Sequence, residues 1–66
     1  MIEVGSYWRD SAGLIWSYEL SHVCRIVEHD DNKVIVTTDE FSIFRLNKDT
    51  FLKYFKKLTP LELELL

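Results

Sequence analysis

Apolar residues along this chain fall into short runs separated by turn-forming clusters, and most of those runs read as strands. Tyr7-Trp8-Arg9-Asp10 leads into Ser11-Ala12-Gly13, an aromatic segment entering a tight turn whose glycine accepts positive φ. This predicts a first strand within residues 3 to 10. From Leu14 to Glu28 the chain is rich in Ile, Val, Trp and Tyr and holds no glycine or proline. Helical spacing competes there, but β-branched and aromatic enrichment favours strand. The alternation slips, because Tyr18, Leu20, His22, Cys24 and Ile26 share one face while Val23 and Val27 fall on the other. A bulge, or two strands joined at Glu19 to Ser21, accounts for the slip.

His29-Asp30-Asp31-Asn32 is a turn composition, and Val34-Ile35-Val36-Thr37-Thr38 after it is β-branched throughout, so the two segments predict a hairpin. Phe41 to Leu46 is partly apolar on both faces, which calls for a cover on the outer one. Asn47-Lys48-Asp49-Thr50 supplies capping residues, and Phe51, Leu52, Phe55 and Leu58 recur at helical spacing. The expected element is a helix of about two to three turns, with Lys53, Lys56 and Lys57 on its other face. In the last segment Thr59, Pro60 and Glu62 suit a capped helix start, whereas Leu61, Leu63 and Leu65 alternating with Glu62 and Glu64 suit a strand. The expectation there is a short edge strand or a docked tail over residues 60-66.

Together these elements predict a mainly β fold: a small SH3-like barrel or a bent antiparallel sheet of four to five strands, with one short helix near the C-terminus. A four-stranded antiparallel sheet packed on one helix is the second arrangement. The 66 residues, 47% hydrophobic and 29% charged, make one small domain, 1-66. No repeat or low-complexity tract interrupts it. A lone cysteine excludes an internal disulfide and the common thiolate zinc frameworks. The N-terminal segment lacks the pattern of a signal peptide and no apolar run is long enough to span a bilayer, so a cytoplasmic protein without membrane contact is expected. A formal charge of -3 argues against wholesale wrapping of nucleic acid.

The spacing Gly5-x-Tyr7-Trp8-x-Asp10-x-x-Gly13, then a Val-rich hairpin, then Thr50-Phe51-x-x-x-Phe55, resembles a group of short, functionally uncharacterised SH3-like proteins carried by phages and prophages of enteric bacteria. The similarity runs over residues 5 to 58, with Ser17 to Ser21 longer than the pattern and Pro60 to Leu66 additional to it. The resemblance implies a small SH3-like domain, no known reaction, and engagement of a host protein such as a defence or transcription factor.

Candidate chemistry is sparse. His22, Cys24 and His29 are the ligand types zinc prefers, but Cys24 reads as a small core residue and His29 as a turn residue, so no metal or cofactor is expected. His22 and Cys24, two apart on a strand, stand too far apart for direct proton transfer. The carboxylate pairs Asp30-Asp31 and Asp39-Glu40 fall at turns. No catalytic residue is assigned, and the protein is expected not to be an enzyme. The first reading is therefore a protein-interaction module that binds its partner through Tyr7, Trp8, Trp16 and Tyr18 around the first turn and through Asp30 and Asp31. A second is a nucleic-acid binder using Lys48, Lys53, Tyr54, Lys56 and Lys57 on the helix. A third is an obligate homodimer, motivated by two-sided strands and the leucine-rich end.

Overall fold

In the computed structural model of the chain, residues 2–13, 23–38 and 42–65 are described. Among these residues five strands and two short helices follow one another as β1 (Tyr7–Asp10), β2 (Val23–His29), β3 (Lys33–Thr37), β4 (Ile43–Asn47), α1 (Lys48–Tyr54), β5 (Phe55–Lys57) and α2 (Pro60–Glu64). The strands form one antiparallel sheet in the order β4-β3-β2-β1-β5. The mainly β fold with a short C-terminal helix expected from the sequence is the one observed. Among the described residues the sheet is open, with no ladder joining β4 to β5.

Chain connectivity forces that sheet to bend. The two edge strands are separated by four inter-strand steps, about 19 Å in a flat sheet. They are nevertheless joined by α1 alone, whose seven residues rise only about 10 Å. The sheet therefore curls toward the helix, and Phe51, the one buried residue of α1, plugs the hollow. Its ring lies 4.8 Å from that of Trp8 and 4.6 Å from that of Phe55. Cys24, Ile26, Val34 and Val36 complete the core, with Phe44 and Leu46 packed against it. Each large apolar side chain so buried contributes about 1.5–3 kcal/mol, which sets the scale of what holds so small a domain together.

The β2–β3 hairpin turns where the sequence places it. Asp30 Oδ1 accepts from the backbone N–H of Asn32 at 2.7 Å and of Lys33 at 2.9 Å, a local bond pattern that only a short acidic or amide side chain provides. The predicted slip in β2 is also present: the register shifts between Ile26 and Glu28, which makes Val27 the bulged residue. The alternative junction at Glu19 to Ser21 lies outside the described residues.

Two expectations about the C-terminal third are corrected. The helix stops at Tyr54, and Phe55–Lys57 pair with β1 as the fifth strand. Phe55 stays buried because it sits opposite Asp10 on the inner face of a strand, so a spacing of four residues from Phe51 is kept across a change of element. The segment from Pro60 is a helix, where the sequence expectation was a short edge strand or a docked tail. Thr59 and Glu62 form a reciprocal capping box, with Glu62 N–H to Thr59 Oγ1 at 3.2 Å and Thr59 N–H to Glu62 Oε1 at 3.0 Å, and Pro60 occupies the first turn. Local capping prevails over the alternating pattern: among the described residues no strand pairs with this segment, and β5 ends at Lys57, three residues earlier.

A cationic, apolar face of the open sheet as candidate functional site

Residues directly opposite in an antiparallel pair share a face of the sheet, so the register assigns every strand residue to one side. Trp8, Cys24, Ile26, Val36, Phe44 and their neighbours point into the curl. Among the described residues no element covers the other side. One row across it reads Tyr7, Arg25, Thr37, Ile43, and a second reads Glu28, Ile35, Arg45. Arg9 lies beside the first row, opposite Val23 on β2 and Lys56 on β5. All three arginines of the chain, one from each of β1, β2 and β4, thus lie on this outer face.

Apolar surface is interleaved with that charge. Ile43 is 66% exposed, Tyr7 40% and the bulged Val27 38%, and Ile35 is half-buried between its neighbours. The bulge is what keeps this face consistent. A regular strand continuing from Cys24 and Ile26 would carry Glu28 inward, whereas the extra residue places it opposite Ile35 on the outer side. Among the described residues Arg9 has a carboxylate partner, Glu62 of α2, with Nη2 to Oε2 at 3.2 Å. The Thr59 backbone N–H first, then the Thr59 hydroxyl and the Arg9 guanidinium, hold the Glu62 carboxyl below its ordinary range.

The residues singled out from sequence separate. Tyr7 is on the open face, but Trp8, its neighbour along the strand, points the opposite way and is 6% exposed. Its indole N–H donates to Ser6 Oγ at 2.9 Å. Trp8 is thus a core residue and no part of a binding surface, because successive strand residues alternate faces. Trp16 and Tyr18 lie outside the described residues. Asp30 and Asp31 are exposed, but Asp30 is committed to shaping its turn, and two cations sit on that turn: Lys33 Nζ is 3.7 Å from its carboxylate and Lys48 Nζ donates to its carbonyl at 3.1 Å. The second carboxylate pair, Asp39-Glu40, lies outside the described residues.

The lysines do not form one helical face. Lys48 is on the turn just described, and Lys53 is on α1 with its ammonium 5.3 Å from the centre of the Tyr54 ring. Lys56 and Lys57 are on β5, opposite Arg9 and Trp8 respectively, and so point to opposite sides of the sheet. Lys57 Nζ lies 3.7 Å from a Glu3 carboxylate oxygen.

Burial pushes the Cys24 thiol up to about 12, with the nearby charge of Asp10 adding to the shift. Such a thiol is protonated at neutral pH and is neither nucleophile nor ready ligand. His29 Nδ1 is buried without a hydrogen-bond partner among the described residues, and His22 lies outside them. No three His, Cys, Asp or Glu side chains converge among the described residues. No helix there is long and apolar enough to cross a membrane.

Sequence reasoning missed the arginines altogether. Each occupies a polar position of a different strand, and only the pairing register brings them onto one surface. Their one visible signal is that Arg25 and Arg45 each sit between apolar neighbours in a strand pattern, while Arg9 follows Trp8 and precedes Asp10. In comparisons with known proteins, no family model, no curated protein and no solved structure matches the chain.

Proposed function

We propose that this protein is a small non-catalytic interaction module whose docking surface is the outer face of its sheet. It holds an acidic, apolar segment of a protein partner. The observation that carries the reading is the convergence of Arg9, Arg25 and Arg45 with exposed Tyr7 and Ile43 on that face. Arginine supplies planar, bidentate donors for carboxylates, and rigid aromatic and branched side chains supply contact area at little entropic cost. The nucleic-acid alternative loses its footing with the dispersal of Lys48, Lys53, Lys56 and Lys57. The resemblance to phage-borne proteins directs the search toward host proteins.

The test is capture from a bacterial lysate by the tagged full chain, with and without nuclease, comparing the natural sequence with Tyr7→Ala/Arg25→Glu/Arg45→Glu and with Lys53→Glu. The expected result is a protein retained through nuclease treatment, lost with the triple variant and kept by Lys53→Glu. Retention indifferent to the triple variant, or abolished by nuclease, overturns the reading.

A further inference from the structure

We propose that the segment this face accepts is α2 of a second copy of the same chain, so that two copies form a closed dimer, each laying its C-terminal helix on the other's sheet. The inference rests on the reading of the outer face as a docking surface for an acidic, apolar segment, and it names the partner.

Charge complementarity carries it. From Leu58 to Leu66 the sequence has two carboxylates, Glu62 and Glu64, and no cation, whereas the outer face holds three arginines and Lys56 against Glu28. The chain itself displays the contact in miniature: Arg9 of that face binds Glu62 of that helix. Among the described residues this is the one arginine so occupied. Arg25 and Arg45 remain exposed, and Glu64 on the same helix is exposed as well.

The apolar surfaces match too. α2 buries none of its residues in its own chain. Leu61 is 67% exposed and Leu65 80%, and a spacing of four residues puts both on one side of the helix. On the outer face Tyr7, Val27 and Ile43 are exposed apolar groups beside the arginines. A five-residue helix that contributes nothing to its own core, yet is closed by a full capping box, is a preformed element available for docking.

Position decides what kind of assembly results. Because Arg9 binds Glu62, α2 borders the outer face at its β1–β5 edge. Helix and face are therefore side by side, and a single two-fold axis between them satisfies both contacts at once. Were they on opposite sides of the molecule, the same complementarity would build an open chain of copies.

The experiment is sedimentation equilibrium of the full chain from micromolar to high micromolar concentration, on the natural sequence, on Arg25→Glu/Arg45→Glu, on Glu64→Arg, and on an equimolar mixture of the two variants. All three substituted positions are exposed, and circular dichroism verifies that each variant is folded. The natural chain is expected to dimerise, and each variant alone to have a dimer dissociation constant raised at least about tenfold. The mixture is expected to recover dimer, because in the mixed pair every reversed face meets a reversed helix and every natural face a natural helix. A natural chain that stays monomeric throughout overturns the inference, as does a dimer indifferent to the reversals or a mixture that recovers nothing. A monomer whose lysate partner is still lost with the arginine variants leaves the docking surface standing and removes the second copy as its occupant.

Discussion

At the scale of single residues, Asp30 shows how one side chain fixes a turn and makes stability depend on pH. Its carboxylate accepts two backbone N–H bonds, from Asn32 and Lys33, and these, the first above all, hold its pKa below the ordinary carboxylate value. A group whose pKa is depressed by folding stabilises the native state above its unfolded pKa, and that contribution disappears as pH falls through the folded value. The melting temperature is therefore expected to decline on acidification below the ordinary carboxylate range, and to decline less in Asp30→Asn, whose side chain does not titrate. Thermal unfolding of both proteins across that range measures it, and parallel curves would remove Asp30 from the account. Trp8 teaches the complementary lesson about legibility. An aromatic pair in sequence announced a surface, but the alternation of strand residues lets only one of the two, Tyr7, face outward.

At the scale of elements, the two helices are capped alike and coupled differently. Asn47 Oδ1 caps α1 by accepting from Asp49 N–H at 2.9 Å and Thr50 N–H at 3.3 Å, and Phe51 ties that helix to the core. Thr59 caps α2, which buries nothing. Replacing Asn47 by Ala is expected to lower global stability by about 1 kcal/mol, whereas Thr59→Ala frays α2 with little effect on the global transition. Denaturant titration gives the first value, and amide hydrogen exchange at Glu62 and Leu63 reports the second; equal global losses would show that α2 is integral to the monomer's core. The β2–β3 hairpin was legible because β-branched propensity, turn chemistry and strand pattern all agree there. The C-terminal third was not, because the four-residue interval from Phe51 to Phe55 fits helix periodicity whether or not the helix continues. What decides is the pairing of Phe55–Lys57 with β1, a contact between residues some 45 apart in sequence, which local pattern does not encode.

At the scale of the whole molecule, Cys24 is a reporter of opening. It is buried between Trp8 and the rest of the inner face, with its thiol pushed up to about 12. A thiol reagent at neutral pH is expected to label it only through unfolding of the sheet, so the free energy obtained from labelling rates should equal that from denaturant unfolding. Labelling at the rate of a free thiol would mean that the inner face opens locally. The outer face is a property of this same scale. Three arginines spaced 16 and 20 residues apart in the sequence become one surface only when β1, β2 and β4 are placed in register, which is why a charge census of the chain showed a mild excess of acid and no basic surface.

The bulge at Val27 has a consequence for how the chain tolerates changes in length. Removing Val27 would leave Cys24 and Ile26 facing inward, Arg25 and Glu28 outward and His29 opposite Val34, as they are now. Removing Ile26 instead would seat Val27 in its inward place, and removing Arg25 would turn Ile26 outward and strip that row of its cation, with Glu28 kept outward in either case because the bulge absorbs the missing residue. Natural variants one codon shorter in this hairpin should accordingly have lost one of the two aliphatic residues Ile26 and Val27 and kept Arg25, Glu28 and His29, a signature by which divergent relatives of this chain can be aligned when their identities alone do not suffice.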